Sequence, residues 1–277
     1  MPIRIVQSKQ NARLKELRRA LASPGQLASG SVGIEGPHLL EEALRAGLQL
    51  RCVFAGERMQ PWVETLNLPA DTEVLVVPSS LLATTLSTET PQAVAALVGP
   101  PEWNWDQILT PTTVSPALVL VLAGIQDPGN LGTILRSAEA FGATGVVSLP
   151  GTVNPWNPKA VRASAGSIFR IPLLSVAEGE ALQHLRHAGV RLLTTAVDGA
   201  QHANSTDLAS PVALFIGNEG SGVPAELAAK TDAAVTIPCP GPVESLNAAV
   251  AASVLLYEAS RQRTQKYLQN LEPGGQQ

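Results

Sequence analysis

The run Ala117-Leu118-Val119-Leu120-Val121-Leu122-Ala123, leading into Gly124 and Ile125, decides how this chain is read. It has no polar face, which suits a parallel β-strand covered on both sides. It is far shorter than the roughly 20 apolar residues of a membrane helix. Working outward, a glycine- and proline-containing loop follows, then a helix over Leu131–Phe141 and a strand over Gly145–Leu149. Further strands are predicted at Phe169–Leu173, Arg191–Val197, Ala213–Ile216 and Ala234–Ile237. Helices are predicted at Lys159–Ala165, Glu178–Ala188, Ala225–Lys230 and from Leu246 to about Leu268. Strands alternating with helices define a doubly wound α/β domain with a parallel sheet.

Upstream, Pro100, Pro101, Pro111 and Pro116 punctuate an unpatterned stretch that reads as a linker. Before it lies a second, smaller α/β pattern. Helices are predicted at 7–22, Pro37–Ala46, Trp62–Leu66 and Ser79–Leu86. Strands are predicted at Ser31–Ile34, Leu50–Ala55, Glu73–Val77 and Ala93–Val98. The resulting division is 1–99, a linker over 100–116, a larger domain over 117–268 and a frayed tail over 269–277.

With 45% hydrophobic and 15% charged residues, the 277-residue chain is globular rather than disordered. Cys52 and Cys239 stand far apart and outside any CxxC pattern, so neither a disulfide framework nor a zinc knuckle is expected. A soluble cytoplasmic protein is expected, because the N-terminus lacks a signal core. His184 and His187 are i,i+3 on a predicted helix without a third ligand, so no metal site is expected.

The net charge of -4 argues at first against a nucleic-acid partner, but the charge is unevenly spread. Residues 1–60 hold nine Lys/Arg against five acids, and the remainder ten against eighteen. The densest basic stretch contains Lys9, Arg13, Lys15, Arg18 and Arg19, with Leu14 and Leu17 as the apolar side of a helix. It is either a solvated face or a phosphate-contacting edge.

Three loops follow predicted strands, where ligands bind in open α/β sheets. They run from Gly124 to Arg136, from Ile216 to Pro224 and from Ile237 to Asn247. Gly217, Gly220 and Gly222 would let backbone approach a ligand or adopt positive φ. Their order is GxxGxG, and the chain has no GxxxxGK[ST], which disfavours a dinucleotide fingerprint or P-loop. Taken alone, Ser245 is either a helix N-cap or a ligand contact, Asn130 a cap or turn residue or a functional one, and Arg136 a surface charge or a functional one.

Together, NLGTILRSAEAFGA, LFIGNEGSGVP and IPCPGPVESLNAAVAASVLLYE resemble, in order and spacing, the three motifs of the SpoU/TrmH family of RNA ribose 2′-O-methyltransferases in the SPOUT superfamily. The intervening Asn157–Leu173 is similar to the family's middle region, and the resemblance covers 117 to about 260. The segment GIEGPHLLEEALRAGLQLRCVFAGE resembles, more loosely, an L30e-like substrate-binding domain.

The resemblance implies a parallel sheet with a C-terminal trefoil knot, S-adenosylmethionine as cofactor, no metal, and a homodimer formed through the catalytic domain. It implies cofactor contacts from Thr195, Ala196, Val197, Ile216, Gly217, Asn218, Gly220, Ile237, Pro238, Ser245, Leu246, Asn247 and Ala248. It implies catalytic roles for Asn130, Arg136, Glu219, Ser245 and Asn247. Leu246, Val250, Val254 and Tyr257 would form one side of the last helix, facing either a second copy or the chain's own core. Cys239 stands where relatives often carry a larger apolar residue such as Met. The expected substrate is RNA, ribosomal before transfer RNA, with Lys9, Arg13, Lys15, Arg18 and Arg19 recruiting it. The competing readings are a catalytically silent RNA-binding relative and a nucleotide-dependent oxidoreductase. The first does not need all five catalytic residues, and the second lacks its fingerprint.

Overall fold

The structure is a computed structural model and describes residues 3–22, 25–86, 93–110, 116–196, 200–242 and 245–271. In chain order the first elements are β1 (Ile3–Ile5), α1 (Ala12–Ala22), β2 (Val32–Glu35), α2 (Pro37–Arg45), β3 (Leu50–Gly56), α3 (Gln60–Thr65), β4 (Glu73–Val77), α4 (Ser79–Ala83) and β5 (Val94–Val98). Next come α5 (Trp105–Leu109), β6 (Leu118–Ala123), α6 (Pro128–Ala140), β7 (Gly145–Ser148), α7 (Pro158–Ala163), β8 (Leu173–Ser175), α8 (Glu178–His187) and β9 (Arg191–Thr195). The last are β10 (Gln201–His202), β11 (Val212–Gly217), α9 (Ala225–Ala228), β12 (Ala233–Thr236) and α10 (Ala248–Leu271). The chain divides into two units. Residues 1–102 group with 154–170, and 103–153 with 171–277.

The first unit is built on a five-stranded sheet in the order β1-β4-β3-β5-β2. Its β1, β4 and β3 run parallel, and β5 pairs antiparallel with both β3 and β2. Only three residues long, β1 is made by its pairing with β4 (Ile3 opposite Val74) and leaves no periodicity to read. Helix α1 begins later than expected because Asn11 ends the preceding turn. Its Oδ1 accepts the N–H groups of Arg13 (2.9 Å) and Leu14 (3.3 Å). Lys9 therefore lies outside the helix. Leu14, Leu17, Ala20 and Leu21 pack with Phe54, Leu75 and Leu97. Burial pushes the thiol pKa of Cys52 up in this core.

Residues 154–170 belong to this unit although they lie within the expected catalytic segment. Glu42 of α2 is buried and accepts from both Arg45 and Arg170. Burial opposes its charge, but the two guanidinium groups outweigh that and hold its pKa below the ordinary value. A strand was expected over Phe169–Leu173. Instead Ser167–Phe169 form a 3-10 turn after Gly166 (φ 91°), and β8 starts only past Pro172, which has no N–H for a ladder.

The second unit holds a wholly parallel seven-stranded sheet in the order β10-β12-β9-β11-β6-β7-β8. Leu118 through Leu122 are completely buried, as an apolar run without alternation requires. Part of the expected linker is a helix here. Asn104 and Gln107 form a capping box on α5, and Ile108 is fully buried, seated over Gly145 where a Cβ would come within 2.6 Å of it. On α8, His184 stacks on Trp105 at 4.6 Å between ring centroids.

The far part of α10 is stapled by Arg263, which donates to the carbonyls of Leu208, Ala117 and Ser210 at 3.0–3.1 Å, and also to that of Pro116. Burial pushes its pKa down to about 10, still cationic at neutral pH. Central strand β6 has β7 on one side and β11 on the other. The chain reverses its sheet direction there, so the loops leaving β6 and β11 meet at the position where open α/β sheets bind ligands.

Candidate active site

The loop after β11 is pinned before any ligand is considered. Asn218 and Gly222 exchange backbone hydrogen bonds of 3.0 and 2.9 Å, and Asn218 Oδ1 accepts the N–H groups of Gly220 (2.9 Å) and Ser221 (3.2 Å). Asn218 Nδ2 donates to the Gly124 carbonyl at 2.8 Å, joining this loop to the exit of β6. The three glycines differ in role from the sequence expectation. Gly222 alone of them has positive φ (69°). At Gly217 a Cβ would stand 2.0 Å from the Gly222 carbonyl carbon, so it is the loop's own backbone, not a ligand, that requires glycine there.

The same loop carries Glu219 to the N-terminus of α6. Asn130 Nδ2 donates to Glu219 Oε1 at 2.8 Å, and the Gln126 N–H approaches Oε2 at 3.4 Å. Partial burial opposes the charge. The Asn130 amide and the backbone N–H groups of Glu219, Gln126 and Asp127 outweigh it and lower the pKa below the ordinary carboxylate value. Glu219 is thus a fixed carboxylate at neutral pH, poorly suited to take a proton.

Asn130 is not the cap of α6. That is Asp127, whose Oδ1 accepts the Asn130 N–H at 2.9 Å. This leaves the Asn130 side chain free to bridge, and its Oδ1 accepts from Asn247 Nδ2 at 3.1 Å. Asn247, rather than Ser245, caps α10, accepting the N–H groups of Ala249 (2.9 Å) and Val250 (3.3 Å). Asn247, Asn130 and Glu219 therefore form one hydrogen-bonded chain linking all three loops.

Beside that chain opens a cleft of about 960 Å³ at the carboxyl ends of β9, β11 and β12. Of the expected cofactor contacts, Thr195, Ala196, Ile216, Gly217, Asn218, Gly220, Ile237, Pro238, Ser245, Leu246 and Ala248 line it. Asn247 is not among the lining residues and instead caps α10, and Val197 lies outside the described residues. The sequence reading missed Thr194, His202, Ser221, Val223, Thr236, Cys239 and Leu255, which also line it. They lie next to recognised loops or reach the cleft only through sheet order. The wall is aliphatic at Ile216, Val235, Leu246 and Leu255, with loop backbone around it. That composition fits a flat heteroaromatic ring whose polar edge is read by backbone groups. The exposed Cys239 lies on the wall with its thiol directed at the Ile237 carbonyl (3.4 Å).

Arg136 is not brought to this cleft. It lies exposed on α6, six positions beyond Asn130 and so on a different side of the helix, and it makes no hydrogen bond or ion pair among the described residues. On α10, Val250, Val254 and Tyr257 are 47%, 37% and 56% exposed, whereas Leu246 precedes the helix. In the first unit Lys9, Lys15, Arg18 and Arg19 are exposed. Arg13 is half-buried and held by Glu16 (2.9 Å) and Glu73 (3.1 Å).

These features define a two-unit α/β protein with a cleft at the carboxyl ends of β9, β11 and β12 of a parallel sheet and a fixed carboxylate on its rim. The model of the SpoU rRNA methylase family matches residues 117–257, and that of the MRM3-like substrate binding domain matches 11–96. The chain belongs to the SpoU rRNA methylase family. It is 32% identical over 253 residues to the 23S rRNA (guanosine(2553)-2′-O)-methyltransferase RlmP of Bacillus subtilis, spanning 91% of this chain and 97% of that protein. The crystal structure of the SpoU methyltransferase AviRb from Streptomyces viridochromogenes, in complex with the cofactor AdoMet, is similar with a TM-score of 0.79. It is 30% identical, covering 92% of this chain and 99% of that one. An AdoMet-bound rRNA methyltransferase from Sinorhizobium meliloti is similar with a TM-score of 0.82 and 30% identity, covering 94% of this chain and 98% of that one.

Proposed function

We propose that this chain transfers a methyl group from S-adenosylmethionine to a ribose 2′-hydroxyl of ribosomal RNA of the 23S type, acting in the cytoplasm as a homodimer. The observation that carries the reading is an aliphatic cleft walled by the second and third family loops, to which the first is locked by the chain Asn247–Asn130–Glu219. The reading includes the C-terminal trefoil knot, for which the loops after β9, β11 and β12 gather around that cleft.

When bound, the cofactor supplies an electrophilic sulfonium methyl group. The protein's part is to hold the hydroxyl in line, exclude water and manage one proton. Glu219, fixed as a carboxylate, positions Asn130 and the α6 N-terminus rather than acting as the base. A guanidinium keeps its proton in proteins, so Arg136 is assigned to binding the nucleotide's phosphate and stabilising the developing alkoxide. Because Arg136 stands away from the cleft of its own chain, a second copy is the natural source of the guanidinium. The exposed Val250, Val254 and Tyr257 give that copy an apolar surface.

Incubation with methyl-labelled S-adenosylmethionine and separate ribosomal and transfer RNA pools, followed by mapping of the labelled ribose, tests the function. Label at a 2′-oxygen of large-subunit RNA is expected, and label in neither pool defeats the reading.

The first unit is assigned to RNA recruitment through the exposed cations on and before α1. Replacing Lys15, Arg18 and Arg19 together by Gln is expected to weaken RNA binding roughly 10-fold at moderate salt. It should also flatten the log–log salt dependence by about 2 to 3, near 0.9 per lost phosphate contact. Cofactor affinity should stay unchanged. Arg13→Gln, which breaks ion pairs to Glu16 and Glu73, is expected to affect stability more than binding. Salt titrations of RNA binding by fluorescence anisotropy distinguish the two.

A further inference from the structure

Two adjacent threonines close β9, and only one is satisfied. Thr195 Oγ1 donates to the Phe215 carbonyl at 3.0 Å. Thr194 is 5% exposed, and its Oγ1 has no hydrogen-bond partner. Buried hydroxyls are nearly always paired, and one left unpaired costs free energy in the folded state. An orphan therefore calls for a missing partner. The neighbouring chain does not supply one, because Thr194 sits between Phe215 of β11 and Ala234 of β12, whose side chains are apolar. Thr194 does line the cleft, and its Oγ1 lies shielded just under that wall, so the hydroxyl reaches a ligand there by rotation about χ1.

We propose that Thr194 is a cofactor-binding residue whose hydroxyl pairs with the polar edge of the adenine ring of S-adenosylmethionine. The inference rests on the methyltransferase reading and adds to it a contact that none of the three family loops contains. The choice of adenine follows from the surroundings. A carboxylate or ammonium placed against aliphatic walls would need a buried counter-charge, and the charged groups on the cleft belong to its exposed residues, Glu219 among them. A neutral ring nitrogen or amino group needs only one hydrogen bond, which a hydroxyl can donate or accept.

The test compares Thr194→Val and Thr194→Ser by calorimetric titration with S-adenosylhomocysteine and by thermal melting of the ligand-free protein. Valine keeps the shape and removes the orphan. Its ligand-free Tm is expected to equal or exceed the wild-type value, while Kd rises roughly 5- to 15-fold. Serine keeps the hydroxyl and is expected to bind within about 3-fold of wild type. The valine penalty should persist with 5′-methylthioadenosine, which has the adenine but lacks the amino-acid moiety. Three results overturn the proposal: unchanged Kd in Thr194→Val, a lowered ligand-free Tm in that variant (a hydroxyl engaged within the protein), or a penalty absent with methylthioadenosine. Failure of the wild-type protein to bind any of these ligands would instead remove the methyltransferase reading itself.

Discussion

Arg136→Ala is expected to lower methyl transfer by about 100- to 1,000-fold while leaving cofactor affinity unchanged. The split follows from position. Arg136 is exposed on α6, and the cleft is walled by other residues, so its loss removes nothing that would touch the cofactor within the same chain. The decisive arrangement is a mixture. In a two-fold dimer where the guanidinium comes from the second copy, a heterodimer of Arg136→Ala with a cleft-dead chain has one intact site. Equal mixing of two inactive variants, allowed to exchange subunits, then recovers about a quarter of wild-type activity, since half the dimers are mixed and each offers one working site. If Arg136 served the cleft of its own chain, every site in the mixture would lack either the guanidinium or the cleft, and nothing would be recovered. Turnover of the mixture against each homodimer settles which copy supplies the residue. Light scattering at micromolar concentration supplies the precondition, and a monomer there would end the argument.

The legible parts of this protein were those where one residue type answers one local demand. The apolar run 118–122 announced a strand buried on both faces, and it is. Leu14 and Leu17 announced the packed side of α1. Most strands of both sheets fell within a residue or two of their expected bounds. Less legible was whatever depends on partners distant in sequence. The strand β1 exists through β4, and α5 through Gly145 on β7. Residues 154–170 group with the first unit, where Arg170 pairs with Glu42 and α7 packs against β2, both far apart in the chain. At the site, the family motifs brought the right loops together, but they did not say which asparagine caps and which bridges. Asn247 does both, capping α10 with its carbonyl oxygen and reaching Asn130 with its amide nitrogen. Asn130 and Arg136, six residues apart, diverge around α6, so that only Asn130 joins the hydrogen-bonded chain beside the cleft.

Gly217→Ala is expected to weaken cofactor binding by at least about 100-fold, although alanine adds a single methyl group to a loop that three glycines make look permissive. The added Cβ would lie 2.0 Å from the Gly222 carbonyl carbon, 2.1 Å from the Val223 nitrogen and 2.3 Å from the Gly222 oxygen. All three are backbone atoms, so no side-chain rotation relieves the overlap and the turn over 218–222 must move. Moving it breaks the paired hydrogen bonds between Asn218 and Gly222 and the tie from Asn218 to Gly124. It also draws Glu219 away from Asn130, which undoes the chain that joins the three loops. The fold has other supports, because β11 is buried between β6 and β9. The stability loss should therefore stay near 2–4 kcal/mol. Gly220→Ala is the control. A Cβ there meets only Asn218 Oδ1 at 3.5 Å, an ordinary contact, and binding should hold within about 3-fold. Gly222→Ala falls between them, with open space around the Cβ but a φ of 69° that costs about 1–2 kcal/mol. Calorimetric Kd values and melting temperatures across the three variants would reject this account if Gly217→Ala and Gly220→Ala behaved alike, since the glycines would then serve the ligand or nothing rather than the packing of the loop upon itself.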